Sequence, residues 1–193
     1  MDSTDSLVVA QTGRLRLRQW RDQDCTAFFD AMNTPEVMRY LGGVQSLAGW
    51  CAAFDRLQSY QRDFGFTFWL LERRDTRELL GFCGLKRVNY EGAPNRGEVE
   101  IGWRLRQSAW GQGIAKEAAI ATLDHAFGRF AAPSVVAITA AANRASRGLM
   151  ERLGMTLRPE LDFDDPRFAH LNPMKQWRLL AAEWPAAREK ALA

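Results

Sequence analysis

A chain of 193 residues, 47% hydrophobic and 25% charged, suits a single domain spanning 1–193; its net charge of +3 is too mild and too scattered for direct nucleic-acid binding. Three cysteines, Cys25, Cys51 and Cys83, with no C-x-x-C pair exclude a zinc ribbon and a disulfide framework, and predict reduced thiols in a cytoplasmic setting. The acidic start is unlike a signal peptide and no apolar run is long enough to cross a bilayer, so no membrane partner is expected.

Residues 1–12 read as a flexible polar arm. Arg14, Arg16 and Arg18 then alternate with Leu15 and Leu17, predicting a half-buried strand over 14–20 with a solvated basic face. Asp22 is placed to cap a helix reaching about Met32. Thr34-Pro35-Glu36 starts a short helix with proline in its first turn, and Gly42-Gly43 ends that segment. A longer helix over 46–64 spaces Trp50, Phe54 and Leu57 along one side. Strand-like runs at 66–72, 79–88 and 98–105, joined by turns, predict an antiparallel meander. Residues 114–130 form a helical stripe of Ala115, Ala119, Leu123, Phe127 and Phe130. A strand at 135–140, a helix over 143–153 stopped by Gly154, and strands at 155–157 and 177–180 complete the chain. This order predicts a mixed α/β (α+β) domain with a right-handed strand–helix–strand crossover.

The helix start Trp110-Gly111-Gln112-Gly113-Ile114-Ala115 carries the most information. Two glycines two apart let backbone N–H groups approach an anion with no Cβ in the way, and the helix N-terminus adds roughly half a positive charge. A dinucleotide fingerprint would need glycine where Lys116 stands, and a G-K-[ST] phosphate loop would need lysine where Ile114 stands. The wider run Glu98-Val99-Glu100-Ile101-Gly102-Trp103-Arg104-Leu105, then Trp110 to Ala118, resembles the signature of GNAT N-acetyltransferases. It is most similar to their RimJ/RimL-type branch, in which E-I-G-[YW]-x-L precedes W-G-x-G-x-[AG]-x-E-[AG]. Asn143-Arg144-Ala145-Ser146, Leu153-Gly154-Met155, Thr34 to Tyr40, and Trp177-Arg178-Leu179 before Glu183-Trp184 resemble further elements of that branch, so the likeness covers about 14–184. It departs at Ser108, where the broad motif has Gln or Arg three places before the first glycine; Gln107 is one place earlier.

The resemblance implies a mostly antiparallel central sheet flanked by helices, its strands at 98–105 and 135–140 splayed to form an acetyl-CoA cleft. By the same resemblance Trp110, Gly111, Gln112, Gly113, Ile114 and Ala115 would carry the pyrophosphate. Arg104, Leu105 and Arg106 would offer backbone groups to the pantetheine, Asn143 would hold that arm, and Ser146 would hydrogen-bond the sulfur where many members use a tyrosine one turn on; Met150 stands there. Direct attack by an amine requires loss of a proton, easier for an α-amino group than for lysine. Glu98 and Glu100, two apart on a strand, face the same way and are the candidate bases, Glu100 first; a merely polar strand face is the simpler alternative. Trp103 is the aromatic residue expected to line the acceptor pocket. Asp162, Asp164 and Asp165 stand where the branch has an acidic acceptor-side loop, although solvated charges are the simpler reading. The implied acceptor is a small-molecule amine or a protein N-terminus such as that of a ribosomal protein. No metal is expected, and a homodimer accords with family habit. The competing function is a catalytically silent acyl-CoA-binding sensor, which the missing tyrosine favours.

Overall fold

Eight strands hydrogen-bond into one sheet in the computed structural model, which describes residues 7–193. In chain order the elements are β1 (Val8–Gln11), β2 (Leu15–Arg18), α1 (Asp24–Met32), α2 (Pro35–Met38), α3 (Leu47–Phe64), β3 (Phe68–Arg73), β4 (Leu79–Arg87) and β5 (Val99–Leu105). There follow α4 (Ile114–Asp124), β6 (Ser134–Ala140), α5 (Arg144–Arg152), β7 (Thr156–Leu157), β8 (Met174–Leu180) and α6 (Trp184–Leu192). The sheet order is β1-β2-β3-β4-β5-β6-β8-β7, antiparallel throughout except where β5 meets β6.

Period-two alternation divides the core into layers. Val99, Ile101 and Leu105 of β5 pack with Ala118, Ala119 and Leu123 of α4 and Leu149 of α5 on one face. On the other, Phe28, Met32, Trp50 and Phe54 from α1 and α3 pack on Leu70 and Phe82. The starts of α2 and α3 follow their caps: Thr34 Oγ1 accepts from Val37 N–H at 3.3 Å, and Ser46 Oγ accepts from Gly49 N–H at 3.2 Å. The meander, the Gly42-Gly43 break and the α5 helix stopped by Gly154 fall where the sequence pattern puts them.

Five expectations change. Val8–Gln11 is a strand rather than part of a flexible arm, because it supplies β2 with an antiparallel partner; residues 1–6 of that arm lie outside the described residues. The arginine-bearing strand is buried on both faces, with Arg16 and Arg18 at 8% and 3% exposure: Leu15 and Leu17 pack into the core shared with α4, and Arg18 lies against Asp24 of α1. Arg18 is accommodated by Asp24, at 2.7 and 2.8 Å, and by Glu72 at 2.6 Å. Asp24 also accepts the Arg21 N–H at 2.7 Å, whereas Asp22 receives the Gln58 amide at 3.1 Å and caps nothing. The helix over 114–130 widens into a π turn at His125–Arg129, where the Phe130 N–H reaches the His125 carbonyl at 3.1 Å. The dispersed cysteines also meet in part, since Cys25 Sγ and Cys51 Sγ lie 3.6 Å apart across α1 and α3, both free.

Removing one partner of a buried ion group leaves the other charge uncompensated, at a cost of about 3–5 kcal/mol. Arg18→Met, which leaves both Asp24 and Glu72 without their cation, is therefore expected to lower the unfolding free energy by about that amount in urea titrations, while Glu36→Gln in the exposed first turn of α2 changes it by less than about 0.5 kcal/mol.

Candidate functional site

The β5–β6 contact is short. These parallel strands pair only at Val99 with Val135 and Glu100 with Val136; past that point β5 pairs with β4 alone and β6 with β8 alone. From Ile101 onward the β6-facing edge of β5 is open. Two bonds set which backbone groups face it: Arg106 N–H donates to Leu80 O at 2.9 Å, and Val88 N–H donates to Glu98 O at 2.9 Å. By the alternation of an antiparallel ladder, even-numbered residues from Glu98 to Arg106 direct their backbone groups to β4, and Ile101, Trp103 and Leu105 direct theirs to the opening. Arg104 and Arg106 thus have backbone groups engaged elsewhere, and the Leu105 carbonyl already accepts from Trp110 Nε1 at 2.9 Å. Of the sequence-based assignment Arg104, Leu105 and Arg106, only Leu105 has its backbone N–H at the opening, and Trp103 joins it there.

Because β5 and β6 run parallel, the helices that follow them, α4 and α5, begin at the same edge of the sheet, where strand ends of an open α/β arrangement receive ligands. Gly111 and Gly113 adopt φ values of +73° and +74°, the left-handed region, and a Cβ at Gly111 would meet no heavy atom within 4 Å. The loop is held from behind. Arg14 Nη1 donates to the Gln112 carbonyl at 2.9 Å, so the following N–H, antiparallel to it across the trans peptide, points away from Arg14. Arg73 Nη2 binds Gln112 Oε1 at 2.9 Å, and Gln112 Nε2 donates to Ser108 O at 2.7 Å. Arg14 Nε pairs with Glu117 at 2.6 Å, and the Thr12 hydroxyl donates to the same carboxylate. Burial pushes the Glu117 carboxyl up, but these donors hold it below the ordinary range. Ile114 is core, 1% exposed, so it and Ala115 offer the first-turn backbone. Asn143 caps α5, its Oδ1 accepting from Ser146 N–H at 3.2 Å and its Nδ2 donating to Thr139 Oγ1 at 3.0 Å. The Ser146 hydroxyl makes no hydrogen bond among the described residues, and Met150 is buried in the core.

On the opposite face of β5 the two glutamates differ. Glu98 accepts from Ser134 Oγ at 2.5 Å, Asn95 Nδ2 at 2.7 Å and Arg178 Nη2 at 2.7 Å, a clamp between β5, β6 and β8. Burial works against its charge, yet Arg178, Ser134 and Asn95 together hold its carboxyl below the ordinary range. Glu100, 3% exposed, accepts from Tyr90 Oη at 2.9 Å and lies 3.3 Å from Lys86 Nζ. Burial raises its pKa, opposed by Lys86 and Tyr90. Tyr90 is itself pushed well upward by burial and by Glu100, so it remains a donor. Neither Tyr90 nor Lys86 was singled out from sequence; the one available signal was Lys86 standing opposite Glu100 in a β4–β5 hairpin register. Trp103 packs with the α4-side core, across the sheet from Glu100, so it lines no acceptor surface there. Asp162 and Asp165 are not solvated: they pair with Lys175 and Arg167 at 2.5 and 2.6 Å.

Residues 14–156 match the model of the acetyltransferase (GNAT) domain. The chain is 32% identical over 145 residues to YkkB of Bacillus subtilis, covering 75% of this chain and 83% of that protein. It is 31% identical over 150 residues to the Bacillus subtilis N-acetyltransferase YoaA, covering 76% and 81%. Its fold is similar to that of an acetyltransferase from Agrobacterium tumefaciens, with a TM-score of 0.75, 29% identity, and coverage of 88% and 92% of the two chains. It is similar also to Mycobacterium smegmatis RimJ in complex with CoA-disulfide, with a TM-score of 0.69, 18% identity and coverage of 92% and 88%.

A carboxyl whose native pKa lies below its unfolded value stabilises the fold above the unfolded value, near pH ~4.3, and loses that contribution as pH falls through the native one. The stability gap between the parent protein and Glu98→Gln should therefore be full at pH 7 and close progressively below pH ~4, read by chemical denaturation at a series of pH values.

Proposed function

The chain belongs to the GNAT acetyltransferase family, acetyl-CoA-dependent acyltransferases, and from that premise we propose that it transfers acetyl to a primary amine by direct attack, with Glu100 as the base. The observation that carries this reading is the parting of β5 and β6 beside two helix N-termini. The coenzyme supplies the acetyl group as a thioester. The residues suit it: left-handed glycines with open space at Gly111, backbone donors turned outward, and a sheet edge without a partner strand.

In this reading the N–H groups from Gly111 to Ala115 bind the pyrophosphate, and Trp110 fixes the loop by binding the Leu105 carbonyl. Trp103 and the Leu105 N–H take the place of a strand neighbour for the pantetheine arm, with the remaining amide capacity of Asn143 on the other side. A backbone N–H at this edge opposes the charge that develops on the acyl oxygen. Ser146 donates its hydroxyl to the departing sulfur. Glu100 receives the amine proton, directly or through water: its burial makes it more basic than a surface carboxylate, and Lys86 and Tyr90 keep it ionised and oriented. Glu98, saturated by three donors, holds strands together instead. The acceptor is a small amine or a protein N-terminus entering past α1 to α3.

One observation favours the silent-sensor alternative: Met150, where many members have a tyrosine, is committed to the core. Thiol release from acetyl-CoA with a panel of amines and N-terminal peptides decides between them, and binding without turnover on every acceptor defeats the enzyme reading. Calorimetry is expected to detect coenzyme A binding, weakened about tenfold or more in Arg14→Met through loss of the charged hydrogen bond that orients the loop. Glu100→Gln should lower kcat about 100-fold at neutral pH and abolish the acidic limb of the pH–rate profile, the limb below which Glu100 is protonated. Ser146→Ala should lower kcat severalfold with the KM for acetyl-CoA nearly unchanged; full retention of kcat removes Ser146 from the mechanism.

A further inference from the structure

Arg104 lies on the same face of β5 as Glu100, beyond Gly102. Its guanidinium carbon sits 5.5 Å from the Trp50 ring centroid and 5.3 Å from that of Phe82, between an α3 residue and a β4 residue. Nε is buried without a hydrogen-bond partner, and no carboxylate pairs with the side chain among the described residues. Burial lowers its pKa to about 10. By contrast Arg18 meets Asp24 and Glu72, and Arg178 meets Glu98. A guanidinium lying over aromatic rings rather than against an acid keeps its planar fork of donors free for a bidentate acceptor, the arrangement that suits carboxylates.

We infer that Arg104 is a carboxylate-binding residue on the acceptor side, and that the amine acetylated carries a carboxylate a few bonds from its nitrogen. This rests on the acyltransferase reading and narrows its substrate class. Charge placement around the site agrees. Of the acids of the nearby loop, Asp162 and Asp165 are neutralised by Lys175 and Arg167, Glu100 faces Lys86, and the exposed Asp164 alone is left without an ion pair among the described residues, so this side is not the dense acidic field that would collect a polyamine. Glu100 and Arg104 are four residues apart on an extended strand, about 13 Å between Cα atoms. The Phe68 ring lies over Gly102 between them, so an acceptor that meets both groups has to span that ring, as an amino acid with an extended side chain or the first residues of an acidic peptide can.

The test uses matched acceptors with the full-length protein: glutamate against glutamine, glycine against glycinamide, peptides beginning Asp-Ala against Asn-Ala, and spermidine as the polycation. The carboxylate member of at least one pair is expected to have about tenfold or more higher kcat/KM, and which pair responds distinguishes free amino acids from peptides. Arg104→Met should erase that preference by raising the acceptor KM, with coenzyme A affinity by calorimetry unchanged. Arg104→Lys, which keeps the charge and much of the stem, should lose part of it, and covers the case in which the methionine variant does not fold. Calorimetric binding of the preferred acceptor to the CoA-loaded protein should weaken in parallel. Equal use of amides, a preference for spermidine, or a carboxylate preference that survives in both folded variants overturns the anion subsite and leaves acetyl transfer standing. Coenzyme A binding with no acceptor acetylated overturns the transferase reading, and this inference with it.

Discussion

Everything at the site depends on two adjacent parallel strands that hold together for two residues and then separate. Had β5 and β6 stayed paired beyond Glu100 and Val136, the backbone groups of Trp103 and Leu105 would be spent on the ladder. Because they part, a row of strand-edge donors and acceptors is left beside the N-termini of α4 and α5, within a sheet that is otherwise continuous. An unpaired edge is ordinarily a liability. Here it lies between strands, where a long thin ligand with its own amides can complete the ladder and a neighbouring chain has poor access.

The glycine loop shows how much of a backbone site is made by side chains that never face the ligand. Glycine permits the left-handed turns at 111 and 113, but it does not by itself choose which way each peptide points. Arg14 and Arg73, from β-strands or turns distant in sequence, take hold of Gln112 and thereby orient the loop. Glu117 fixes Arg14 in turn, and the Thr12 hydroxyl holds Glu117. The N-terminal hairpin, which contributes no catalytic group, is thus structurally continuous with the anion cradle.

The carboxylates illustrate how similar residues acquire different work from their surroundings. Glu98 and Glu100 share a strand face, yet one is drawn into a three-donor clamp that favours its charge and the other is enclosed where burial opposes it. The arginines divide in the same way. Some are struts paired with acids, as Arg18 is between Asp24 and Glu72, whereas Arg104 lies over aromatic rings with no acid opposite. A group whose partner is missing from the chain is informative in a way that a satisfied one is not.

Much of this was legible from local chemistry. The short helix started by Thr34-Pro35-Glu36, the paired glycines, the meander, and the helix that begins at Ile114 all follow from interactions within a few residues, so pattern and turn chemistry were enough to locate them, and the motif spacing pointed to the family. Other features were set by contacts between segments far apart in the chain. The parity of β5, which turns Trp103 rather than Arg104 to the opening, is fixed by its register with β4; the burial of Arg18 is fixed by its approach to Asp24 of α1; the Tyr90–Glu100–Lys86 cluster and the Cys25–Cys51 approach require the sheet and helices to be assembled. Short-range preferences can name an element and its ends. Which face a strand shows, and which charge meets which, are settled by hydrogen-bond register and desolvation across the folded molecule, where a one-residue slip exchanges every inward side chain for its neighbour.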